Sequence, residues 1–246
     1  MISLRILCLV VIATLFLKVP IQAQLSSKDS SLLKSSVKNA LTFYDQNIGE
    51  QSGKFNGTQN IGYPQGVIEK NPYFLSPNFS KGYIVYDQVL YENVSLIYDE
   101  AADLVVLQDS SHKIELITEK LEAFGIGENH FQYLINKDEN TNALLNTGYY
   151  QILVDNTTSL YTKETKKITE KIQGNELNYT MGTSNYYYLK KGGRFYEIQN
   201  KSGFLRLLKD KEKELKQYIK SQHMNYRKDK NYTLSKVVEY YNLITK

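Results

Sequence analysis

From Lys81 onward apolar and polar residues alternate in short runs: KGYIVY, VLYE, VSLIYD, DLVVLQ, KIELI, KLEAFGI, HFQYLI, GYYQILVD and SLYTKET. A period of two sends successive side chains to opposite faces, so each run predicts a half-buried strand. The polar links between runs are too brief for crossover helices, which predicts an antiparallel meander. Asp87-Gln88 stands where a two-residue hairpin favours Asp-Gly. A later hairpin, NYYYLKKGGRFYEIQ, turns at Gly192-Gly193.

Helical spacing flanks this region on both sides. Leu33, Val37, Ala40, Leu41 and Tyr44 follow caps at Asp29 or Ser30 and stop at Gly49, predicting a helix within residues 25–50. Residues 51–77 carry the Gly and Pro punctuation of an ordered loop or short strands. Toward the end, Ser202 can cap a helix bearing Phe204, Leu205, Leu207 and Leu208, and Asp210 can cap one striped by Leu215, Tyr218 and Ile219. A last helix places Leu234, Val237, Val238, Tyr241 and Ile244 on one face. The expected class is α+β, mainly β: a curved or barrel-like sheet over residues 80–200, one N-terminal helix, and two to three C-terminal helices over 202–246.

The N-terminus changes the setting. Arg5, an apolar run from Ile6 to Leu17, and Pro20 before Ile21-Gln22-Ala23 have the layout of a secretory signal peptide over residues 1–23. Lys18 and Pro20 cut the run short of the roughly twenty residues a membrane span needs. The mature chain, 24–246, is then expected to be one exported domain with no transmembrane segment. Cys8 is the single cysteine and leaves with the leader, so the mature chain has neither disulfide nor thiolate ligand. Losing Arg5 and Lys18 reduces the net charge from +4 to +2, which gives no electrostatic support to nucleic-acid binding. Seven N-x-S/T sequons read as accidents of an Asn- and Ser/Thr-rich chain. Tyr is the unusual residue, with twenty-one copies and no Trp, and it suits both half-buried strands and contact surfaces.

Candidate chemistry centres on Asp99, Glu100 and Asp103, which follow the strand VSLIYD. Adjacent strand residues point to opposite faces and no D-x-D-x-D-G loop occurs, so these acids read as turn residues on a solvated rim. His112, His130 and His223 lack metal-ligand spacing. The one S-x-x-K match, Ser31 to Lys34, has no S-D-N or K-T-G partner and reads as a helix start. The Lys-rich stretch 209–220 alternates with Glu212 and Glu214 as a solvated helix face. No catalytic, cofactor or metal residue is assigned. Paired acids for glycoside hydrolysis could come together only in the fold.

The runs YDQNIGEQSGKFNGTQNIGY, NPYF, KGYIVYDQVLYENVSLIYDEAADLVVL, GYYQILVDNTTSLYTK and YYLKKGGRFYEIQNKSGFLRLLKDKEKELKQYIK carry a resemblance. Together they resemble an uncharacterised family of exported Gram-negative envelope proteins, over about Phe43 to Asn242. The most specific parts are the Tyr-Asp…Tyr-x-Asn-Val…Tyr-Asp run and the C-terminal helices; Gln88 replaces a glycine usual in that pattern, which leaves the tightness of its turn open. The resemblance implies export and a single architecture, and no activity. The functional expectation is a non-catalytic periplasmic, outer-membrane-associated or extracellular protein. It would bind an envelope protein, a glycan or the outer-membrane surface through Tyr-rich strand faces. The alternative is a secreted hydrolase.

Overall fold

The computed structural model describes residues 57–109, 112–136 and 145–245, all within the second of two compact units, Ser52–Lys246. The expected leader over 1–23 and helix over 25–50 lie outside the described residues. Eleven strands form one antiparallel sheet: β1 (Gly57–Gln59), β2 (Ser80–Tyr86), β3 (Val89–Asp99), β4 (Leu104–Asp109), β5 (His112–Leu116), β6 (Leu121–Ile126), β7 (Asn129–Leu134), β8 (Gly148–Val154), β9 (Ser159–Gln173), β10 (Glu176–Lys191) and β11 (Arg194–Glu197). Four helices accompany it: α1 (Gln65–Ile68), α2 (Lys201–Leu207), α3 (Glu212–Ser221) and α4 (Lys230–Ile244). The mainly-β, α+β class is thus the observed one.

The strand order is β1-β5-β4-β3-β2-β6-β7-β8-β9-β10-β11, open at both ends. It departs from a pure meander at two places: β6 returns to pair with β2, and β1 joins β5. Curling makes the first departure feasible. In a flat sheet β5 and β6 would lie four spacings apart, ~19 Å, farther than residues 117–120 reach with a 3-10 turn at Thr118–Lys120. Likewise Tyr98 on β3 and Tyr149 on β8 are four spacings apart in strand order, yet their ring centroids stand 5.9 Å apart. The sheet therefore rolls around an inner core.

Two local features shape the β2–β3 pair. Asp87 and Gln88 both adopt positive φ, 52° and 66°, so the turn is a tight two-residue one without glycine. Asn93 (φ 58°) is skipped where the β2–β3 register shifts, a bulge that Asn tolerates in the left-handed region. The extra residue moves Val94, Leu96 and Tyr98 onto the same inner face as Tyr91, three residues earlier. The Tyr-x-Asn-Val run is thus the sequence of a bulged strand.

The inner core holds Ile84, Tyr86, Leu96, Leu121, Phe124 and Tyr149, each no more than 1% exposed. Phe124 sits at its centre, stacked on Phe131 at 4.6 Å and edge-on to Tyr149 at 5.2 Å. A second core forms where the helices cover β8–β10, with Leu160, Leu189, Phe204, Leu208, Leu215, Leu234, Val237 and Val238 buried together. Asn200, rather than Ser202, caps α2 by accepting from the Gly203 N–H at 2.8 Å. Asp210 caps nothing: its carboxylate accepts from Lys191 Nζ at 2.9 Å and the Tyr241 hydroxyl at 2.8 Å, tying α4 to the sheet. Beyond the Lys166–Thr183 pair the β9–β10 hairpin projects ~20 Å, with Ile172 at 79% exposure.

Candidate functional site

Alternation along three strands brings the two cores together and leaves a gap between them. On β8, Tyr149 belongs to the inner core, Leu153 packs against the helical one, and Gln151 lies between. On β9, Leu160 is in the helical core, and Thr162 and Glu164 follow on the same face. On β10, Tyr187 and Leu189 are core and Asn185 is the next residue on that face. The polar positions of these strands thus line a cavity of about 250 Å³ at the seam. Its floor is aromatic, made by Phe74, Tyr98, Phe131 and Tyr149. Its rim is polar, with Asn129, Gln151, Asn185 and Asn231 among the contributors.

Hydrogen bonds orient part of the rim and leave part open. Asn129 Oδ1 accepts from Gln151 Nε2 at 2.8 Å, and Asn231 Oδ1 accepts from the Tyr187 hydroxyl at 2.6 Å. Thr162 Oγ1 donates to the Tyr186 carbonyl at 2.9 Å. The Asn185 amide has no hydrogen-bond partner among the described residues. The rim thus presents free amide donors and acceptors above an apolar floor.

Of the acids expected on a solvated rim, Glu100 lines the cavity, Asp99 is buried in the same turn, and Asp103 is half-buried. Asp99 is 3% and Glu100 5% exposed. The reason is the roll: it folds the β3–β4 turn onto β9, where two lysines wait. Asp99 Oδ1 accepts from the N–H groups of Ala101 and Ala102, both at 2.9 Å, and so shapes the turn. Burial pushes its carboxyl up, against the hydrogen bonds it accepts. Asp103 (φ 56°) ion-pairs with Lys163 and accepts from the Tyr98 hydroxyl at 2.7 Å. Burial, reinforced by Asp103, raises the Tyr98 hydroxyl well above the ordinary tyrosine range, so it stays a donor. Gly148 makes the pair feasible: at its φ of 147°, a Cβ would collide with Asp103 Oδ2 and Lys163 Nζ.

Lys166 is the second latch. Its Nζ reaches Glu100 Oε2 at 3.0 Å and donates to the carbonyls of Asn71 (3.0 Å) and Tyr73 (2.6 Å). Three acceptors use all three ammonium protons. Its backbone N–H also donates to the Glu100 carbonyl at 3.3 Å, a strand-like bond across the gap in the roll. Glu164 Oε1 stands 3.9 Å from the same ammonium. Burial pushes the Glu100 carboxyl up to about 7, while Lys166 pulls it down and Glu164 pushes it further up.

Other expected features lie elsewhere. Half of the described tyrosines are buried, and Tyr186 and Tyr232 are the strongly exposed ones among the described residues. Tyr83 bonds His130 Nδ1 at 3.0 Å, and among the described residues no three His, Cys, Asp or Glu side chains gather as metal ligands. No described helix is long and apolar enough to cross a membrane. Sequence reading missed Lys163, Lys166, Gln151 and Asn185. The signal was the polar series Thr162, Glu164, Lys166 continuing the inner face of Leu160, visible once the facing of β9 is known.

The fold and site define an open, curled antiparallel sheet with a helical layer and a small amphipathic cavity between two cores. Compared with family models, curated proteins and solved structures, the chain matches none.

Proposed function

We propose that this chain is an exported, non-catalytic binding protein of the bacterial envelope that holds one sugar unit of a glycan in the seam cavity. The observation that carries this reading is the pairing of an aromatic floor with the unpaired Asn185 amide and the free amide ends of Gln151 and Asn231 on the rim. A sugar ring offers C–H faces to aromatic rings and hydroxyls to amides, and ligand sites combine mostly apolar walls with a few placed polar groups. A volume of about 250 Å³ suits a single ring rather than a chain. Export and envelope placement rest on the leader pattern and on the family resemblance.

Calorimetric titration with neutral monosaccharides and their methyl glycosides tests the reading. A ligand of this size binds with a dissociation constant of about 1 mM. Asn185→Ala weakens it about fivefold while leaving the melting temperature unchanged, because one ligand hydrogen bond is lost and no internal one. Absence of binding by every sugar would remove the proposal. A hydrolytic reading has one feature in its favour, Glu100 and Glu164 both within 4 Å of one ammonium. Against it, Lys166 holds the Glu100 carboxylate as an ion pair in the wall. Turnover of aryl glycosides that Glu164→Gln abolishes would favour the enzyme instead.

A further inference from the structure

Away from the cavity, strand register assembles a second polar row on the opposite face of the sheet. Lys113 on β5 stands opposite Gln108 on β4, Gln108 opposite Ser95 on β3, and Ser95 opposite Lys81 on β2. Directly opposed residues share a face, so these four side chains run in line across four strands. Their neighbours Val94, Leu96 and Leu107 point into the inner core, which puts the row outside the roll. At the ordinary strand spacing the two lysine positions are ~14 Å apart.

The row is the floor of an open groove of about 620 Å³, walled on one side by Asn78 and Phe79. Among the described residues no carboxylate lines it. Lys81 Nζ donates to the Asn93 carbonyl at 3.3 Å, and Lys113 Nζ stands 5.5 Å from the Phe79 ring centroid. Neither lysine has an ion-pair partner among the described residues. Most other lysines of the sheet body, Lys120, Lys163, Lys166 and Lys191, do have one. The groove therefore offers two unneutralised cations at its ends and uncharged hydrogen-bonding groups, Ser95 and Gln108, between them.

We propose that this groove binds an elongated polyanion, with one anionic group at Lys81, another at Lys113, and the chain between them hydrogen-bonded by Gln108 and Ser95. A compact ion can meet only one of the two lysines, so the spacing selects a polymer carrying phosphate or carboxylate groups. The groove is independent of the sugar cavity and stands whether or not that site is occupied.

Fluorescence anisotropy with labelled linear polyphosphate and labelled oligogalacturonate, in the full chain, tests it. At least one chain binds, salt weakens the binding, and orthophosphate competes only at much higher concentration. Lys81→Gln and Lys113→Gln each weaken it about tenfold, whereas Lys167→Gln, on the projecting hairpin, leaves it unchanged. Whichever probe binds identifies the source of the anionic groups. Failure of both probes, equal binding of neutral dextran, unchanged affinity in the double variant, or an equal loss in Lys167→Gln would each overturn the proposal.

Discussion

Lys166→Met costs about 3–5 kcal/mol of stability at pH 8, because it strands the Glu100 carboxylate in a buried wall without its counter-ion. The same substitution costs less at pH 5. Burial holds the Glu100 carboxyl at about 7 in the folded chain, above its ordinary 4.5. The folded state therefore binds more protons than the unfolded state between those values, and stability from this group falls as pH rises through that window. At pH 5, inside that window, the folded-state Glu100 is already neutral and needs no counter-ion. The residual cost at pH 5 is then the loss of the ammonium from the Asn71 and Tyr73 carbonyls, about 1–3 kcal/mol. Urea denaturation of both proteins at the two pH values checks this. A loss that is equal at both, or under about 1 kcal/mol at pH 8, would mean that Lys166 does not latch the roll.

Phe124→Ala lowers stability by about 3–5 kcal/mol, the range for removing a buried aromatic ring. The ring is 0% exposed and touches the rings of Tyr98, Phe131 and Tyr149, from strands up to four spacings apart. Losing it removes the packing around which the sheet curls, in a domain whose whole stability is about 5–15 kcal/mol. Denaturant midpoints, with near-ultraviolet dichroism of the tyrosines, measure both the loss and any loosening of the inner core. A cost below about 1.5 kcal/mol would show that the roll is not held by this cluster.

Much of the sheet was legible because a half-buried strand writes its facing into a period of two. Val94, Leu96 and Tyr98 share the inner face, and the turn at Gly192-Gly193 lies where positive φ was needed, 57° and 76°. What escaped reading depends on contacts between distant segments. The return of β6 to β2 follows from curl, which no local pattern records. The acids looked solvated because Asp99, Glu100 and Asp103 punctuate a turn, as turn acids usually do on a surface. Glu100 is buried and Asp103 half-buried because Lys166 and Lys163, some sixty residues later, supply the opposite charge, whereas Asp99 is held by the N–H groups of its own turn. The long hairpin was half seen: period two ends early in the reading because Lys167, Lys171 and Ile172 are all exposed, and neither face of the projection is buried.

The central claim, that the seam cavity is a sugar site, has a direct optical test because the chain contains no Trp. Phe74→Trp places a single indole on the cavity wall, where Phe74 lies edge-on to Phe131 at 5.0 Å. Its emission is predicted to change saturably with a sugar, with a midpoint of about 1 mM that Asn185→Ala moves upward. Emission unchanged by every sugar, or a change that Asn185→Ala leaves untouched, would contradict the account.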